Sequence, residues 1–593
     1  MSDKFPGGFI IAPIFIFALT ITVFVQTSFA QQNGDQNIRF NQIGFYPDAP
    51  KTAIILDSKD TVFYIQAING KTVFTGTLKK SIKPDFAGNT TEIADFTNYR
   101  KPGKYSLSIP GVGSSHPFEI KKSVLSGVAG GSIKAYYFMR ASVPLDEKYA
   151  DKWHRAEGHP DTAVLIHPSA ASDKRPANTI ISSPRGWYDA GDYNKYVVNS
   201  GISTSTLLSL YEDFPSYMKT VKLNIPESGN HIPDVLNEVL WNLRWMLTMQ
   251  DPNDGGVYHK LTNAVFDKFE MPDKGTEPRY VVQKGTAATL DFAAVMAQAS
   301  RIFKKFPKEL PGLADSCLNQ ANKAWDWATK NPIVAYNQDA MNKQFSPAVT
   351  TGAYGDRNFS DEFIWAASEL FVTTHNPQFL KNVNLLSDET MPVPTWSQVK
   401  LLGYYTLVKN SSSFGDNSPK ELLEIKKRLL ELADNLINGA DETAYQTVMS
   451  KSARNFNWGS NSVAANQGVV LIQAYKLSND PKYLRYALDN LDYILGRNGT
   501  GYSYVTGYGS KTPMHPHHRP SVAHGGDPVP GLLVGGPNPG MQDKIKVPTT
   551  VPDEAYIDDY RAYAVNEIAI NWNAPFAYLA NAIEALQDRL KLQ

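Results

Sequence analysis

The chain changes its hydrophobic period near residue 125. Before that point, β-branched and aromatic residues form short runs separated by Asp, Gly and Pro, which is typical of strands joined by turns. This spacing predicts a small β-sandwich over residues 36–120. We expect it to support the domain that follows, since no binding cluster accompanies it. The clearest runs are Ala53 to Leu56, Thr61 to Ile65, Lys71 to Phe74 and Lys104 to Ile109.

From residue 125 onward the period is helical. In Pro233 to Leu247, apolar residues recur every three or four positions and form one wide helix face. Long loops rich in Gly, Pro and Asn, notably 338–360 and 499–555, interrupt this region, and loops of that length are usually functional. The pattern predicts a helical barrel or toroid over 125–593 with a cleft built from loops. The other helical segments are Thr286 to Phe306, Leu313 to Ala328, Asp361 to Val372, Lys420 to Ile437, Val463 to Leu477, Tyr483 to Leu495 and Tyr563 to Leu590.

The first thirty residues have the pattern of a secretory signal. Lys4 is followed by an apolar run from Phe9 to Phe24, and the small residue Ala30 precedes a polar stretch. An uncleaved anchor is the alternative, although the run is shorter than the roughly 20 residues that a spanning helix needs. We therefore expect residues 1–30 to be removed and the protein to be secreted or periplasmic, with no membrane contact afterwards.

Composition narrows the class of partner. Lys and Arg together number 58, as do Asp and Glu, so no net charge favours nucleic acid or an anionic membrane. Cys317 is the only cysteine in the 593 residues, which excludes a disulfide framework and a cysteine-rich zinc site. A neutral partner and a monomeric protein are expected.

The first of three polar clusters is Trp187-Tyr188-Asp189-Ala190-Gly191-Asp192. Asp189 and Asp192 are three residues apart, so a turn would direct both carboxylates to one side, where they could hold and deprotonate a water. The alternative is helix capping, because Asp at a helix start accepts bonds from backbone amides.

The second cluster is Pro516-His517-His518-Arg519, and the third centres on Asn566-Glu567 in the last helical pattern. Apolar neighbours such as Ile568 would raise the pKa of Glu567, as a general acid requires, whereas a solvated helix-surface Glu is the plainer interpretation. His517 and Arg519 alternate in a Pro-stiffened loop and suit hydrogen bonds to several hydroxyls. A metal site built from the histidines of this loop, His515, His517 and His518, is the rival interpretation.

Together the clusters resemble those of glycoside hydrolase family nine, the inverting cellulases. The N-terminal β-sandwich is similar to the immunoglobulin-like module that precedes the catalytic domain in one subgroup. The histidine motif matches over Ser503-Tyr504-Val505-Thr506, Gly509, Lys511 and Pro516-His517-His518-Arg519, and the acidic motif over Tyr556, Asp558, Tyr563, Glu567, Ala569 and Asn573-Ala574.

The resemblance implies a mainly α fold, an (α/α)6 barrel preceded by the immunoglobulin-like β-sandwich. It implies Asp192 as general base, Asp189 as its partner in orienting the water, and Glu567 as general acid. His517 and Arg519 would bind glucosyl hydroxyls. Three further residues are assigned to substrate binding by the same likeness, with a core position as the alternative for the first: Trp458, Asp558 and Tyr563. Two stretches similar to walls of the family's cleft are Tyr354-Gly355-Asp356 and Asp361-Glu362-Phe363-Ile364-Trp365.

No cofactor is expected for catalysis. Zinc is doubtful, because residues 153–168 offer His154, His159 and His167 without a cysteine. Structural calcium is common in the family, and Asp251-Pro252-Asn253-Asp254-Gly255-Gly256 carries suitable oxygen ligands, although the same residues also form ordinary turns.

The expected function is hydrolysis of β-1,4-glucosidic bonds with inversion, within soluble or amorphous β-glucan, because no carbohydrate-binding module or dockerin-like repeat follows the last helical pattern. Mixed-linkage glucan is a second substrate. The alternatives are an exo-acting glucosidase or glucosaminidase on the same scaffold and, in another class, a non-catalytic polysaccharide-binding protein.

Overall fold

The structure is a computed structural model and describes residues 36–80 and 86–591. The predicted secretory signal over residues 1–30 lies outside these residues. None of the helices in the described part of the chain combines the length and apolar character needed to cross a bilayer.

The N-terminal domain is a β-sandwich of two sheets. One sheet has the strand order β1-β3-β7-β6, and the other has the order β2-β10-β8-β4-β5 with β9 paired to β8. Its strands are β1 (Ile38–Arg39), β2 (Gly44–Phe45), β3 (Thr52–Leu56), β4 (Val62–Ala67), β5 (Thr72–Thr77), β6 (Lys79–Lys80), β7 (Thr91–Asp95), β8 (Gly103–Ile109), β9 (Gly113–Ser114) and β10 (Phe118–Ile120).

Alternation of side chains produces the core of this sandwich. In β8, Tyr105, Leu107 and Ile109 are buried while the residues between them are partly exposed, as a strand with one covered face requires. Phe45 and Phe118, on neighbouring strands, meet edge to face with ring centroids 5.4 Å apart. The sandwich also contacts the helical domain, where the Asn41 amide donates to Asp492 over 2.7 Å and the Tyr46 hydroxyl donates to Glu584 over 2.6 Å.

Helices form the rest of the chain. They are α1 (Ser126–Phe138), α2 (Glu147–Ala150), α3 (Val197–Asp213), α4 (Pro215–Met218), α5 (Asp234–Thr248), α6 (Thr286–Phe303), α7 (Leu313–Lys330), α8 (Gln338–Gln344), α9 (Ser360–Thr374), α10 (Lys400–Lys409), α11 (Leu422–Ile437), α12 (Ser460–Ser478), α13 (Pro481–Ile494), α14 (Arg519–His524), α15 (Tyr563–Asn566) and α16 (Ile570–Ala585).

Six of these helices follow one another around a closed ring: α3, α6, α9, α10, α12 and α16. The outer helix α1 precedes them in the sequence, and the outer helices α5, α7, α11 and α13 lie between them, except that α10 follows α9 directly. Ring helices such as α6 are buried on nearly every side, and they carry small and apolar residues all round. The outer helices α7 and α11 bury one stripe only, as their amphipathic sequences predict. The predicted mainly helical fold with an N-terminal immunoglobulin-like β-sandwich is confirmed.

A third sheet interrupts the region for which only helices were predicted. Its strand order is β12-β11-β15-β14-β13, with β11 (Val164–Ile166), β12 (Ile180–Ile181), β13 (Lys195–Tyr196), β14 (Lys260–Asn263) and β15 (Arg279–Val281). Strands of two to four residues leave too little alternation to detect in a sequence. This sheet matters because β13 connects the Asp189–Asp192 cluster to helix α3.

The last predicted helix, Tyr563 to Leu590, is broken near its start. Helix α15 ends at Asn566, and Glu567 has the extended backbone angles φ −73° and ψ 154° before α16 begins at Ile570. Residues of this break pair as isolated bridges with other loops, including Glu567 with His517 and Ala569 with Ala190. Glu567 is therefore held by three converging loops and does not lie on a helix surface.

Candidate active site

A cleft of about 410 Å³ opens among the loops at one end of the barrel. It brings together residues from all three predicted clusters, together with loops that the sequence did not single out. Its lining residues include Asp192, Tyr196, Phe266, Thr351, Gly352, Tyr354, Trp458, His517, Arg519, Tyr563 and Glu567.

Asp192 presents one carboxylate oxygen to this cleft. Its Oδ2 accepts hydrogen bonds from the Asn194 amide at 2.6 Å and from the Tyr196 hydroxyl at 3.0 Å. Among the described residues, no hydrogen bond occupies its Oδ1. The two donors fix the carboxylate plane and leave Oδ1 to accept a proton or bind a water.

Asp189 lies behind Asp192 and does not line the cleft. Its side chain accepts from the Asn199 amide at 2.9 and 3.0 Å and from the Tyr354 hydroxyl at 3.3 Å. Burial, followed by the charge of Asp192, raises the pKa of Asp189 well above its usual range. Asp189 thus reaches the cleft through Tyr354, which does line it.

Glu567 faces the cleft with its side chain 17% exposed. Burial raises the pKa of Glu567 well above its usual range, and the nearby charges of Asp192 and Asp189 raise it further. Arg519 and the backbone N–H of Gly191 oppose this shift. A carboxyl in these surroundings keeps its proton to higher pH than an ordinary glutamic acid does.

Gly191 is where the Asp189–Asp192 loop meets the histidine loop, residues 514–519. Its carbonyl accepts from the backbone N–H of Arg519 at 3.1 Å and from the Arg519 guanidinium at 2.7 Å. A Cβ placed on Gly191 would lie 2.3 Å from the His517 carbonyl oxygen. Only a residue without a side chain allows the two loops to approach this closely.

His517 stands beside Glu567, with Nε2 4.0 Å from the Glu567 Oε1 atom. Its Nδ1 donates to the Tyr560 carbonyl over 2.6 Å, which leaves Nε2 as an acceptor in the neutral ring. Burial lowers the pKa of His517 to about 4. The imidazole is therefore neutral at ordinary pH and can accept a hydrogen bond from a hydroxyl at Nε2.

Arg519 is almost fully buried at the back of the cleft. Besides its bond to Gly191, its Nε donates to the Asp267 carbonyl over 2.8 Å. Its guanidinium also lies 5.5 Å from the ring centroid of Phe266 and 5.1 Å from that of Phe269. The predicted contact of Arg519 with sugar hydroxyls stays a prediction. The contacts that Arg519 makes in the structure join the Asp189–Asp192 loop to the loop between β14 and β15.

Trp458 and Tyr563 form an aromatic wall on one side of His517. Trp458 is 44% exposed and lines the cleft, so a core position for it, the alternative considered from sequence, is wrong. Its ring centroid lies 5.4 Å from that of Tyr563, and Tyr563 lies 5.8 Å from His517. Both residues are placed to contact a sugar ring.

Asp558, predicted to bind substrate, does not line the cleft. Its Oδ2 accepts from the backbone N–H of Met514 at 2.7 Å and its Oδ1 from that of His515 at 2.9 Å. The Asn566 amide donates to Oδ1 as well, over 3.0 Å. Asp558 therefore anchors the histidine loop to the segment that carries Glu567, where the loop amides occupy its carboxylate.

The cleft floor comes from the loop 338–360, which the sequence indicated as functional without naming its cleft residues. Thr350, Thr351 and Gly352 line it, held by the buried Lys260 ammonium, which donates to Thr351 Oγ1 at 3.0 Å and to the Gly352 carbonyl at 2.7 Å. Tyr354 was placed correctly in a cleft wall. The other predicted wall segment, residues 361–365, is instead the buried start of helix α9, with an apolar face that packs into the barrel.

The histidines considered as metal ligands have other partners. His518 Nδ1 bonds with Ser521 over 2.8 Å, His159 Nδ1 with the Tyr188 hydroxyl over 3.0 Å, and His167 Nε2 with the Pro347 carbonyl over 2.9 Å. Within residues 36–80 and 86–591, no group of three or more His, Cys, Asp or Glu side chains is arranged to hold a metal ion.

The run from Asp251 to Gly256, weighed as a calcium loop from sequence, is a turn closed by a lysine. The Lys284 ammonium donates to Asp251 Oδ2 over 2.7 Å and to both carboxylate oxygens of Asp254 over 2.9 and 2.8 Å. The Asp251 charge is thus already paired with a cation.

The open cleft combines the loop of Asp189 and Asp192 with a glutamic acid of raised pKa and aromatic walls. It lies on a ring of six helices that follows an immunoglobulin-like sandwich. These features together are those of a glycoside hydrolase. Residues 126–580 match the model of glycosyl hydrolase family 9, and residues 33–114 match that of the cellulase N-terminal ig-like domain. The chain belongs to glycosyl hydrolase family 9, and the enzyme class predicted from the sequence is confirmed.

Curated relatives extend along nearly the whole chain. It is 46% identical over 552 residues to a xyloglucan-specific endo-β-1,4-glucanase of Bacteroides ovatus, covering 93% of this chain and 94% of the relative. It is 34% identical to endoglucanase D of Acetivibrio thermocellus, covering 92% of this chain and 83% of the relative. The solved structure of a Bacteroides ovatus family 9 protein superposes with a TM-score of 0.87 at 44% identity, covering 93% of this chain and 99% of that one.

Replacing Gly191 by alanine tests the junction between the loops. The new methyl group would lie 2.3 Å from the His517 carbonyl oxygen. Gly191→Ala must therefore move the Asp189–Asp192 loop away from His517 and Glu567. We expect kcat to fall about a hundredfold, as a misplacement of about 1 Å can cause, with a much smaller effect on the melting temperature. Gly130→Ala in helix α1 is the matched control, since its backbone is helical and nothing lies within 4 Å of its added Cβ. Full activity of Gly191→Ala would contradict this account of the junction.

Proposed function

We propose that this chain is an inverting endo-β-1,4-glucanase in which Glu567 is the general acid and Asp192 the general base. The observation that carries the proposal is the pair itself: one carboxyl of raised pKa and one carboxylate with a free oxygen line the same cleft. Family membership supports the assignment of the pair to glycosidic bond cleavage.

Glu567 gives its proton to the oxygen of the scissile bond as that bond breaks. The raised pKa keeps this proton in place at the start of the reaction, and Arg519 and the Gly191 N–H stabilise the carboxylate that forms. His517 accepts a hydrogen bond from a sugar hydroxyl at Nε2. Because its ring is neutral, it does not compete with Glu567 as a proton donor at ordinary pH.

Asp192 accepts a proton from the attacking water at Oδ1, while Asn194 and Tyr196 hold Oδ2. In an inverting enzyme the two carboxyl groups stand about 6.5 to 9.5 Å apart, so that a water fits between the base and the anomeric carbon. Asp189 orients that water through the Tyr354 hydroxyl, with which it shares a hydrogen bond. The product therefore has the opposite anomeric configuration, and no covalent glycosyl intermediate forms.

The substrates we propose are β-glucans with a β-1,4-linked backbone, xyloglucan as well as cellulose. The high identity to a xyloglucan-specific endoglucanase over almost the full chain supports the branched substrate. Aromatic side chains on both sides of His517 support binding of sugar units on both sides of the cleavage point, which an endo-acting enzyme needs. We further propose that the enzyme acts as a monomer after export to the periplasm or the medium, away from membrane and nucleic acid.

The proposal is tested by following viscosity and products on xyloglucan and carboxymethyl cellulose for wild type, Glu567→Gln and Asp192→Asn. We expect wild type to lower the viscosity rapidly and to release mixed oligosaccharides. Each variant should lose activity by a factor of about 10² to 10⁴, because acid–base catalysis typically contributes that much for each group. Glu421→Gln, on the surface before α11, is the matched control.

Three results would count against the proposal. Slow loss of viscosity with one small product would indicate the exo-acting alternative. Early products with retained β-configuration in proton NMR would exclude inversion. Activity that survives in a folded Glu567→Gln or Asp192→Asn protein would remove that residue from the mechanism.

The pH profile should show the raised pKa of Glu567. Activity falls as pH rises through this pKa, because an ionised Glu567 has no proton to give, so the alkaline limb should lie well above the ordinary glutamate value of about 4.3. Asp189→Asn removes one of the charges that raise this pKa and should move the alkaline limb of the residual activity to lower pH. An alkaline limb near the ordinary value would contradict the assignment.

Structural calcium stays a prediction without an assigned site, since within residues 36–80 and 86–591 no group of three or more His, Cys, Asp or Glu side chains is arranged to hold it.

Chelation tests the calcium prediction. An ion present at 100 times its Kd adds about 2.7 kcal/mol to the free energy of unfolding, so we expect EDTA to lower the melting temperature and added calcium to restore it. A melting temperature that ignores both EDTA and calcium would refute the prediction.

A further inference from the structure

The loop that connects β14 to β15 turns its charge inward and its phenyl rings outward. Asp267 has a side chain only 2% exposed, whereas its neighbours Phe266 and Phe269 are 45% and 38% exposed. An exposed phenyl ring forgoes the free energy of burial, and a buried carboxylate adds a further cost. Stability of the loop does not explain this orientation, whereas a ligand bound to the rings would.

Exposed apolar side chains concentrate near the cleft. Ten large hydrophobic side chains are exposed among the described residues, and six of them lie on the segments that also carry cleft residues. An apolar surface that continues into a ligand cleft marks a binding surface. The six are Val265, Phe266, Phe269, Trp458, Met514 and Tyr560.

His517 separates two groups of aromatic rings. On one side Tyr563 lies 5.8 Å from the imidazole and Trp458 5.4 Å from Tyr563. On the other side Phe269 lies 5.2 Å from the imidazole and Tyr560 5.2 Å from Phe269.

Arg519 fixes the second group in place. Its guanidinium lies behind both phenyl rings, at 5.5 Å from Phe266 and 5.1 Å from Phe269, while its Nε bonds to the Asp267 carbonyl. Its Nη1 bonds to the Gly191 carbonyl, next to the base Asp192. The outward faces of the rings are thus held at a fixed position relative to the reacting atoms, as a binding platform requires.

We propose that Phe266 and Phe269, the phenyl platform, bind the apolar C–H face of a sugar ring on the opposite side of His517 from Trp458. This inference rests on the proposed glucanase function and deepens it, because it assigns a second sugar-binding surface outside the residues that bind the reacting unit. The ring has two possible sources, a glucosyl unit of the main chain or a xylosyl branch, and both offer the same C–H face.

Steady-state kinetics of Phe266→Ala/Phe269→Ala tests the platform on cellohexaose and on a xylosyl-branched gluco-oligosaccharide of equal backbone length. We expect KM to rise roughly tenfold or more, equivalent to about 1.4 kcal/mol of binding, with kcat unchanged, since the contact is the same in ground and transition states. A rise on both substrates identifies the ring as a main-chain unit, and a rise on the branched substrate alone identifies it as a xylosyl branch.

Two further variants separate binding from folding. Phe266→Tyr/Phe269→Tyr keeps flat rings and should retain the wild-type KM, and Leu423→Ala, which removes an exposed side chain on α11, should change nothing. An unchanged KM on both substrates, or a fall in kcat alone, would overturn the platform while leaving the glucanase function intact. A wild-type protein that cleaves neither oligosaccharide would instead overturn the proposed function on which the platform rests.

Discussion

The active site depends on the junction of three backbone segments at Gly191. The Gly191 carbonyl accepts from the Arg519 N–H, His517 pairs with Glu567 as an isolated parallel bridge, and Ala190 pairs with Ala569 as an antiparallel one. These bonds join segments that are distant in the sequence, and backbone hydrogen bonds of this kind are obligatory once the groups are buried. The positions of Asp192 and Glu567 therefore follow from main-chain geometry and vary little with side-chain motion.

Burial around this junction sets the protonation of the groups it holds. The same desolvation raises the pKa of Glu567 and lowers that of His517, so the carboxyl keeps a proton while the imidazole has none to give. Asp192 is held differently, because Asn194 and Tyr196 donate to one of its oxygens. The two carboxyl groups of one cleft are therefore held in different surroundings.

Several polar groups that a list of cleft residues would treat alike have separate tasks. Asp558 and Arg519 are both charged and lie close to the cleft. Asp558 anchors the histidine loop. Arg519 joins the Asp189–Asp192 loop to the loop that carries Phe266 and Phe269. Asp189 acts through Tyr354. The distinction follows from the bonds that each side chain makes, and residue type alone does not reveal it.

The sequence by itself determined the class of protein and most of its helices. Period and turn composition were sufficient for four of the five longer strands of the sandwich and for helices such as α5 and α7, because these signals are local and are summed over many residues. The motifs around Asp192, His517 and Glu567 were sufficient for the family. Trp458 and Tyr563 were also placed correctly in the cleft.

Only the tertiary structure decided the geometry of the site. The break at Glu567 comes from pairing with loops far away in sequence. The third sheet has strands too short to show a period, and the outward orientation of Phe266 depends on Arg519 behind it. Long-range contacts of this kind leave no periodic trace in the chain, so the sequence indicated which residues are candidates for the chemistry and the fold decided how they meet.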